Sequence, residues 1–294
     1  METPSSLFAD RVFDSHDGLK LFARDYAGGG GPARCPVICI HGLTRNSSDF
    51  DEIAPWIAGL GRRVLAVDVR GRGRSAYDPE PKHYHPLVYA KDVVKLFADL
   101  GIARAVFIGT SMGGLITMTL ALRHLRLISA AILNDVGPVI SPKGIARVAQ
   151  YVGKTPSVSS WSEAADYMKR TNQVAFPNNS EFEWAKWARR TFAENESGQL
   201  RLQYDPDIAH ALRTGKPKVR SLIANLAFRR LSRNRPTLLI RGALSDIIEP
   251  QQAEAMRKMA PAMRYVEVPG VGHAPMLMEA EARAAIQDFL ATVP

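Results

Sequence analysis

The feature that most constrains the fold of this chain is a regular alternation of short apolar runs with helical patterns. Six apolar runs of four residues occupy positions 37–40, 64–67, 105–108, 130–133, 237–240 and 265–268. Helical patterns occupy positions 91–100, 112–124, 251–259 and 279–291, between or after those runs. Because parallel strands need crossover segments between them, this order indicates a parallel sheet wrapped by helices.

The first strands are an exception to that parallel order. Residues 9–15 and 19–26 lie on either side of the turn pair Asp17-Gly18. A turn pair of this kind between two strand-like segments is a strong signal for an antiparallel hairpin. With the hairpin included, the sequence predicts an α/β fold whose mostly parallel sheet has about eight strands.

One long segment, residues 137–235, interrupts the alternation and contains no convincing strand. Capping-box patterns of the form Ser-x-x-Glu begin at Ser160 and Ser180, ahead of helical patterns at 161–171 and 182–193. A helical insertion into a regular sheet accounts for this segment. We therefore predict a core domain formed by residues 1–136 and 236–294, with a helical cap, or lid, inserted at residues 137–235.

The net charge of +9 comes from the same insertion. Residues 137–235 contain 17 Lys and Arg against 8 Asp and Glu, whereas the rest of the chain has 21 of each sign. No recognition motif and no interleaved aromatic residues accompany the basic stretch at 208–235, so we interpret it as a solvated face and expect no nucleic-acid partner. An anionic substrate or surface stays open as the alternative interpretation.

The sequence predicts a protein of the cytoplasm with no membrane partner. No apolar run approaches the roughly 18 residues of a membrane span, and the first residues lack the apolar stretch of a secretory signal. The two cysteines, Cys35 and Cys39, lie four residues apart in one predicted strand. That spacing separates them by about 13 Å, too far for a disulfide, so we expect both to be reduced, buried thiols.

A candidate nucleophile follows the third apolar run, at positions 105–108. There a Gly-x-Ser-x-Gly pattern places Ser111 between Gly109 and Gly113. A strand that runs through this pattern directly into a helix predicts a nucleophile elbow. The turn is strained and crowded, so glycine is needed on either side of the serine. The Met112 amide at the start of the helix is a predicted donor to a developing oxyanion.

A serine nucleophile needs a base, and the base needs an acid to orient it. His273 lies in a glycine-rich loop after the last predicted strand, and Asp246 lies shortly after the strand before that one. The order Ser111, Asp246, His273 is the order in which proteins with a nucleophile elbow of this kind have their serine, acid and histidine. Asp135 is the alternative acid, because it also follows a strand directly. We predict Asp246 because it follows the strand that comes immediately before the one leading to the histidine loop.

The second oxyanion donor is predicted in the loop after the apolar run at 37–40. This loop reads His41, Gly42, Leu43. Gly42 lets the backbone approach the reacting centre, and the Leu43 amide is the candidate donor. We interpret His41 as an organiser of the loop and not as a proton carrier.

No metal or cofactor is expected. His83 and His85 form a His-x-His pair, but no carboxylate pattern accompanies it. The glycines Gly71 and Gly73 follow a strand, but the third glycine and the ribose-binding acid of a dinucleotide site are missing. The predicted chemistry depends on groups of the protein alone.

Taken together, these residues resemble the α/β-hydrolase superfamily, in its branch of small bacterial esterases, lactonases and related hydrolases. The resemblance covers nearly the whole chain and depends on His41-Gly42, Asp68-x-Arg70-Gly71-x-Gly73-x-Ser75, Gly109-x-Ser111-Met112-Gly113-Gly114, Asn134-Asp135-x-Gly137-Pro138, Asp246 and Gly272-His273. It implies the α/β-hydrolase fold with an inserted helical lid. Dehalogenases and epoxide hydrolases of the superfamily have an aspartate at the elbow, where this chain has Ser111.

The resemblance implies a serine hydrolase that cleaves a carboxylic ester or a lactone through an acyl-enzyme on Ser111. His273 would shuttle the proton and Asp246 would orient its ring. An acyltransferase or a carbon-carbon bond hydrolase with the same triad is the alternative, because the superfamily uses one frame for several reactions. A non-catalytic ligand-binding receptor is a further alternative, against which a complete triad argues.

The aromatic residues of the cap are candidates for contacts with a small-molecule substrate. Trp161, Trp184 and Trp187 are the named candidates among them. We expect some cap aromatics to face the pocket and others to pack the cap onto the sheet domain. An apolar pocket of this kind would favour small or medium uncharged acyl groups.

Overall fold

The computed structural model describes residues 7–30, 34–214 and 222–294. Its strands are β1 Ala9–Asp14, β2 Lys20–Tyr26, β3 Val37–Ile40, β4 Val64–Asp68, β5 Ala105–Thr110, β6 Ile128–Asn134, β7 Phe192–Glu194, β8 Leu200–Leu202, β9 Thr237–Gly242 and β10 Arg264–Val268. Its helices are α1 Ile53–Gly59, α2 Pro86–Asp99, α3 Met112–Arg123, α4 Pro142–Ala149, α5 Trp161–Asn172, α6 Glu181–Thr191, α7 His210–Thr214, α8 Leu222–Asn234, α9 Pro250–Met259 and α10 Ala280–Thr292. Lys216, Lys218 and Arg220 of the basic stretch lie outside the described residues.

Eight strands form one sheet in the order β1-β2-β4-β3-β5-β6-β9-β10. β2 pairs antiparallel with both β1 and β4. From β4 to β10 all neighbouring strands are parallel. The predicted α/β fold, with its hairpin and its mostly parallel eight-stranded sheet, is therefore confirmed.

The central strands are buried on both faces, which explains why their sequences are continuous apolar runs. Every residue of β3, β4, β6 and β9 is buried. Successive residues contribute to two apolar clusters on opposite faces, as Val37 and Ile38 do in β3. Each large side chain buried in this way contributes about 1.5–3 kcal/mol to stability, so the sheet is a rigid support for the loops at its carboxyl edge.

A short hairpin lies within the insertion, between α6 and α7. β7 and β8 pair antiparallel, and in the turn that joins them Gly198 has a φ of 75°. Asn195 Oδ1 accepts a hydrogen bond from the Gln199 amide at 2.8 Å and closes the turn. The expectation that this segment contains no strand is wrong, because strands of three residues are too short to show an alternating pattern.

The insertion contacts the sheet domain and also has an apolar cluster of its own. Ala164, Trp184 and Ala188 belong to that separate cluster. α8, in contrast, packs against α3 and buries Phe228 and Leu231 in the main cluster of the sheet domain. The division into a core domain and a cap at residues 137–235 stays a prediction.

Neither cysteine forms a disulfide. Cys39 is buried within β3, whereas Cys35 is only partly buried, so the expectation of two buried thiols holds for Cys39 alone. Burial raises the pKa of the Cys39 thiol, which disfavours the reactive thiolate. Of the helices in the described ranges, none has both the length and the hydropathy needed to cross a bilayer.

Candidate active site

Ser111 lies on the tight turn between β5 and α3, with φ 51° and ψ −111°. Such a backbone is strained for any residue other than glycine. A Cβ on Gly109 would lie 2.5 Å from backbone atoms of Gly113, and a Cβ on Gly113 would lie 2.0 Å from the carbonyl oxygen of Ile40. The need for glycine at both positions is therefore confirmed.

The ring of His273 lies between Ser111 and Asp135. Its Nε2 is 2.9 Å from Ser111 Oγ, and its Nδ1 is 2.7 Å from Asp135 Oδ2. Because a carboxylate accepts hydrogen bonds, Nδ1 donates to Asp135, and Nε2 is left to accept the hydrogen bond from the serine hydroxyl. The side chains of His273 and Asp135 are 10% and 0% exposed. The three groups form a continuous hydrogen-bonded chain, in which the Asp135 end is shielded from solvent and Ser111 faces the cavity.

Asp135 directly follows β6, the neighbour of β5 in the sheet, and has a φ of 53°. Its carboxylate accepts a hydrogen bond from Ser245 Oγ at 2.6 Å and another from the Gly242 amide at 3.1 Å. Both donors belong to the end of β9 and the loop after it. The loop after β9, which was predicted to supply the acid of the triad as Asp246, instead holds Asp135 in place.

Asp246, the predicted triad acid, binds Arg147 of α4 and not His273. Arg147 Nε lies 2.5 Å from Asp246 Oδ2, and Arg147 Nη2 lies 2.8 Å from Asp246 Oδ1. Burial acts to raise the pKa of Asp246, but the hydrogen bonds and charge of Arg147 outweigh burial and hold that pKa below its ordinary value.

The prediction of Asp246 as the partner of His273 is therefore corrected to Asp135, which the sequence left as the alternative. The reason is the order of the strands. β6 lies beside β5 and brings Asp135 next to the elbow, whereas β9 lies one strand farther away. Asp246 also follows the end of β9 only after a further turn, in which Ser245 points to Asp135.

The two predicted oxyanion donors lie beside the elbow. A Cβ on Gly42 would lie 3.8 Å from the Ser111 Cβ, so the loop passes close to the nucleophile. Met112 is the first residue of α3, where amides have no partner within the helix. Neither the Leu43 nor the Met112 amide donates to a backbone carbonyl in the described ranges, so both can bind a substrate oxygen.

His41 is buried and fixes the loop that contains Leu43. Its Nε2 accepts a hydrogen bond from the Val69 amide at 3.1 Å, which leaves Nδ1 to donate to the Gly42 carbonyl at 2.7 Å. Burial lowers the pKa of His41 to about 4, so the ring stays neutral near pH 7. This geometry supports the interpretation of His41 as an organiser of the loop.

A cavity of about 280 Å³ lies above Ser111 and His273. Its wall is mostly apolar and includes Leu115, Ile145, Val148, Tyr151, Met168 and Leu202. Trp187, one of the three candidate tryptophans, also lines the cavity. Tyr151 and Tyr204 line it too, although the sequence gave no reason to select them because neither lies in an aromatic-rich helical pattern.

The other two tryptophan candidates are wrong, because neither lines the cavity. Trp184 is 1% exposed and packs edge-on against Trp187, with ring centroids 5.5 Å apart. Trp161 lies near the surface, where its Nε1 donates to Glu194 at 2.9 Å and the Arg189 guanidinium lies 3.7 Å from its ring centroid. Helical spacing alone does not show which cap residues face the cavity, which pack inside the cap and which lie near its surface.

Arg45 is a charged residue of the cavity wall, and its charge is compensated. Its Nη2 lies 2.5 Å from Asp49 Oδ1, and its Nη1 donates to Thr191 Oγ1 at 3.1 Å. The guanidinium also lies 4.8 Å from the ring centroid of Trp187. Arg45 therefore links the loop after β3 to α6 and is not free to bind an anion.

Among the described residues, two groups of potential metal ligands lie away from this cavity, and both surround Arg70. They are His16, Asp17 and Asp92, and Asp17, Asp78 and His83. Arg70 binds all three of these carboxylates through its guanidinium, at 2.5 to 2.8 Å. A fixed cation already occupies the centre of both groups and opposes a metal ion there. His85, the other member of the His-x-His pair, caps α2 by accepting from the Leu87 amide at 3.2 Å.

The chain matches the alpha/beta hydrolase family over residues 37–286. A 3-hydroxybutyrate-oligomer hydrolase of Cupriavidus necator is 32% identical over 255 residues, which are 85% of this chain and 86% of that protein. An sn-1-specific diacylglycerol lipase of Mus musculus is 25% identical over 250 residues, which are 83% of this chain and 76% of that protein.

A solved structure leads to the same family. The crystal structure of an alpha/beta hydrolase from Novosphingobium aromaticivorans is 39% identical, with a TM-score of 0.90, and the match covers 97% of this chain and 98% of that one. The relatives named here are hydrolases, and the family match extends from β3 into α10. The protein is therefore a hydrolase, and the chain belongs to the alpha/beta hydrolase family.

Proposed function

We propose that this hydrolase cleaves carboxylic esters through an acyl-enzyme on Ser111. The observation that carries the proposal is the hydrogen-bonded chain of Ser111, His273 and Asp135 at the base of the cavity, with distances of 2.9 and 2.7 Å. A buried base held in one tautomer by a carboxylate is the arrangement that activates a serine hydroxyl.

The reaction follows from the roles of these three side chains. Ser111 Oγ attacks the ester carbonyl carbon while His273 Nε2 takes the hydroxyl proton, and Asp135 stabilises the imidazolium that forms. The tetrahedral intermediate expels the alcohol, which takes that proton from His273. Water then gives a proton to His273 and attacks the acyl carbon, and the acid leaves as Ser111 regains its proton.

The Leu43 and Met112 amides supply the electrostatic part of the mechanism. Both lie beside Ser111 and are available to a ligand oxygen, so they donate to the carbonyl oxygen as it gains negative charge. A preorganised donor of this kind contributes a factor of roughly 10²–10³ to kcat. Because the amides are fixed by the fold, little reorganisation accompanies the reaction.

The cavity favours esters with small or medium uncharged acyl groups. Its volume is about 280 Å³, and its wall is mostly apolar. The charges of Arg45 and Arg147 are compensated by Asp49 and Asp246. One relative is named for the hydrolysis of 3-hydroxybutyrate oligomers, so short oligoesters and lactones of hydroxy acids belong with simple esters among the substrates to be tested.

Ser111→Ala tests the proposal. We expect wild-type enzyme to hydrolyse nitrophenyl esters of graded chain length and to be labelled by a fluorophosphonate probe. The variant should fold, lose labelling and keep less than about 1% of the turnover, because the hydroxyl is the nucleophile. Turnover near the wild-type rate in this variant would contradict the assignment. Product analysis with added alcohols separates hydrolysis from acyl transfer. A wild-type protein that is neither labelled nor active on these esters would contradict the proposed acyl-enzyme on Ser111.

A further inference from the structure

Arg72 lies beneath the proposed oxyanion site, and 0% of its surface is exposed. Its Nε donates to the Leu43 carbonyl at 3.0 Å, and its Nη2 lies 3.5 Å from Met112 Sδ. Its Nη1 donates to the Arg70 carbonyl at 2.8 Å and to Tyr89 Oη at 2.9 Å. A single buried guanidinium thus contacts both residues whose amides are the proposed donors.

Within the ranges that the structure describes, no carboxylate lies at hydrogen-bond distance from Arg72 to compensate its charge. Its acceptors are two carbonyl oxygens, a phenol oxygen and a thioether sulfur. The nearby carboxylates Asp17, Asp78 and Asp92 are bound by Arg70 instead. A buried cation is costly unless its surroundings stabilise it, and in a site shielded from water its field is weakly screened.

Arg72 contributes to the position of the Leu43 amide together with His41, which holds the peptide that contains this amide. The N–H of Leu43 and the carbonyl of Gly42 belong to one planar trans peptide, so they point in opposite directions. His41 Nδ1 binds the Gly42 carbonyl on one side of Leu43, and Arg72 Nε binds the Leu43 carbonyl on the other. Both peptide planes that flank Leu43 are therefore held by buried side chains.

We propose that Arg72 is a positioning residue for the oxyanion hole. Its hydrogen bond to the Leu43 carbonyl holds that residue in the geometry that binds the carbonyl oxygen, and its positive charge stabilises the negative charge that develops there. This role rests on the proposed acyl transfer to Ser111. A charge that acts on a developing oxyanion lowers the barrier more than it strengthens substrate binding.

The loop that contains Arg72 is fixed by contacts that do not involve its guanidinium. The Gly73 amide donates to the Gln203 carbonyl at 2.8 Å, and the Asp205 amide donates to the Gly71 carbonyl at 2.8 Å. The Asp68 carboxylate accepts the Arg74 amide at 2.9 Å. Substitution of the side chain alone therefore leaves the backbone supported, which makes variants at this position informative.

Arg62 provides a matched control. It is also fully buried, with 1% exposure, and its guanidinium likewise donates to carbonyl oxygens, among them those of Cys35, Leu290 and Val293. Arg62 precedes β4 and therefore lies at the amino edge of the sheet, opposite the carboxyl edge where Ser111 lies. Loss of its side chain should lower stability as loss of Arg72 does, with no effect on the oxyanion.

The test compares Arg72→Met, Arg72→Lys and Arg62→Met for kcat, KM, thermal unfolding and inhibition. The inhibitors are a trifluoromethyl ketone, which forms a tetrahedral adduct with Ser111, and the corresponding methyl ketone. For Arg72→Met we expect a loss of about 10² in kcat, a KM within about threefold, and a parallel loss of affinity for the trifluoromethyl ketone alone. Arg72→Lys should recover part of the loss, and Arg62→Met should keep the wild-type kcat.

Two results would overturn this role. One is an Arg72→Met enzyme with kcat within about threefold of wild type; the other is an equal loss of affinity for both ketones, which indicates a general structural defect. If Arg72→Met does not fold, the same comparison is made with Arg72→Lys, and unchanged selectivity between the ketones counts against the role. If the wild-type enzyme is not labelled by the probe and does not turn over the esters, the proposed function itself is wrong, and the role of Arg72 is wrong with it.

Discussion

Ser111 and Asp135 reach the reacting centre from neighbouring strand ends, and both have backbone angles in the left-handed region, with φ of 51° and 53°. Such angles cost of order 1–3 kcal/mol for each residue and persist only where the surroundings enforce them. At Ser111 the close approach of Gly109 and Gly113 enforces the turn. At Asp135 the amide donates to the Ile240 carbonyl at 2.7 Å, and the carboxylate is held by Ser245.

Asp135→Asn is expected to lower kcat by a factor on the order of 10⁴, because an amide does not hold His273 in the tautomer that accepts the serine proton. Asp246→Asn should lower kcat by less than about tenfold, since Asp246 contacts Arg147 and not the ring. Steady-state hydrolysis of a nitrophenyl ester by both variants measures the difference, with thermal unfolding as the control for folding. A larger loss in Asp246→Asn would return the role of the acid to Asp246.

Ser111 and His273 could be selected from the sequence because each lies in a local pattern with a physical cause. Glycines flank Ser111 where a Cβ does not fit, and His273 lies in a glycine-rich loop at a strand end. The acid has no such pattern. Asp135 and Asp246 both lie between Ser111 and His273 in chain order, and the choice between them depends on strand neighbours and on the position of Arg147.

At the scale of elements, burial on both faces made the central strands recognisable. β7 and β8 were missed because each has only three residues. The start of α2 was also missed: it begins at Pro86, ahead of the pattern at 91–100, because proline at the first helical positions and the His85 cap start the helix. Long buried elements are thus predictable from sequence, whereas short elements and helix ends depend on local contacts.

α4 is the element that joins the cavity wall to the loop after β9. Ile145 and Val148 of α4 line the cavity. On the other side, Arg147 binds Asp246, and a Cβ on Gly144 would lie 2.5 Å from the Asp246 carbonyl oxygen. The side chains of Arg147 and Asp246 are 17% and 16% exposed, so their ion pair is largely shielded from water. We infer that this pair anchors the wall of the cavity.

Because this ion pair is partly exposed, breaking it costs less than breaking a fully buried pair. Arg147→Gln is expected to lower the free energy of unfolding by about 2 kcal/mol, because it leaves the Asp246 carboxylate without its partner. It should also raise KM for longer acyl chains while turnover of a short acetate ester is kept, since α4 forms the wall and not the triad. Urea unfolding and a chain-length series measure the two effects. The double variant Arg147→Gln, Asp246→Asn removes both charges and should recover part of the stability. Equal destabilisation of the single and double variants would contradict an ion-pair anchor.

At the scale of the whole molecule, the described basic residues of α7 and α8 are separate from the residues that line the cavity, although Leu212 of α7 is one of those lining residues. Arg229 and Arg233 are exposed on α8, and Arg213 of α7 pairs with Asp207. In the cavity wall and directly behind it, Arg45 and Arg147 are paired with carboxylates. Paired cations in the wall provide no strong field for an incoming anionic substrate, whereas the charge of Arg72, unpaired within the described ranges, is buried beneath the proposed oxyanion site, away from solvent.

The salt dependence of catalysis tests that separation. We expect kcat/KM for a neutral nitrophenyl butyrate and for an anionic nitrophenyl hemisuccinate to respond alike, within about twofold, as ionic strength rises from about 0.01 to 1 M and the screening length falls from about 30 to 3 Å. The reason is that steering needs an uncompensated field at the mouth of the site, and the described cations of the wall have carboxylate partners. Measurement of both substrates over the same salt series cancels effects of salt on folding. A steep decrease for the anionic ester alone, reduced by Arg229→Ser and Arg233→Ser, would show instead that the basic face guides anionic substrates to Ser111.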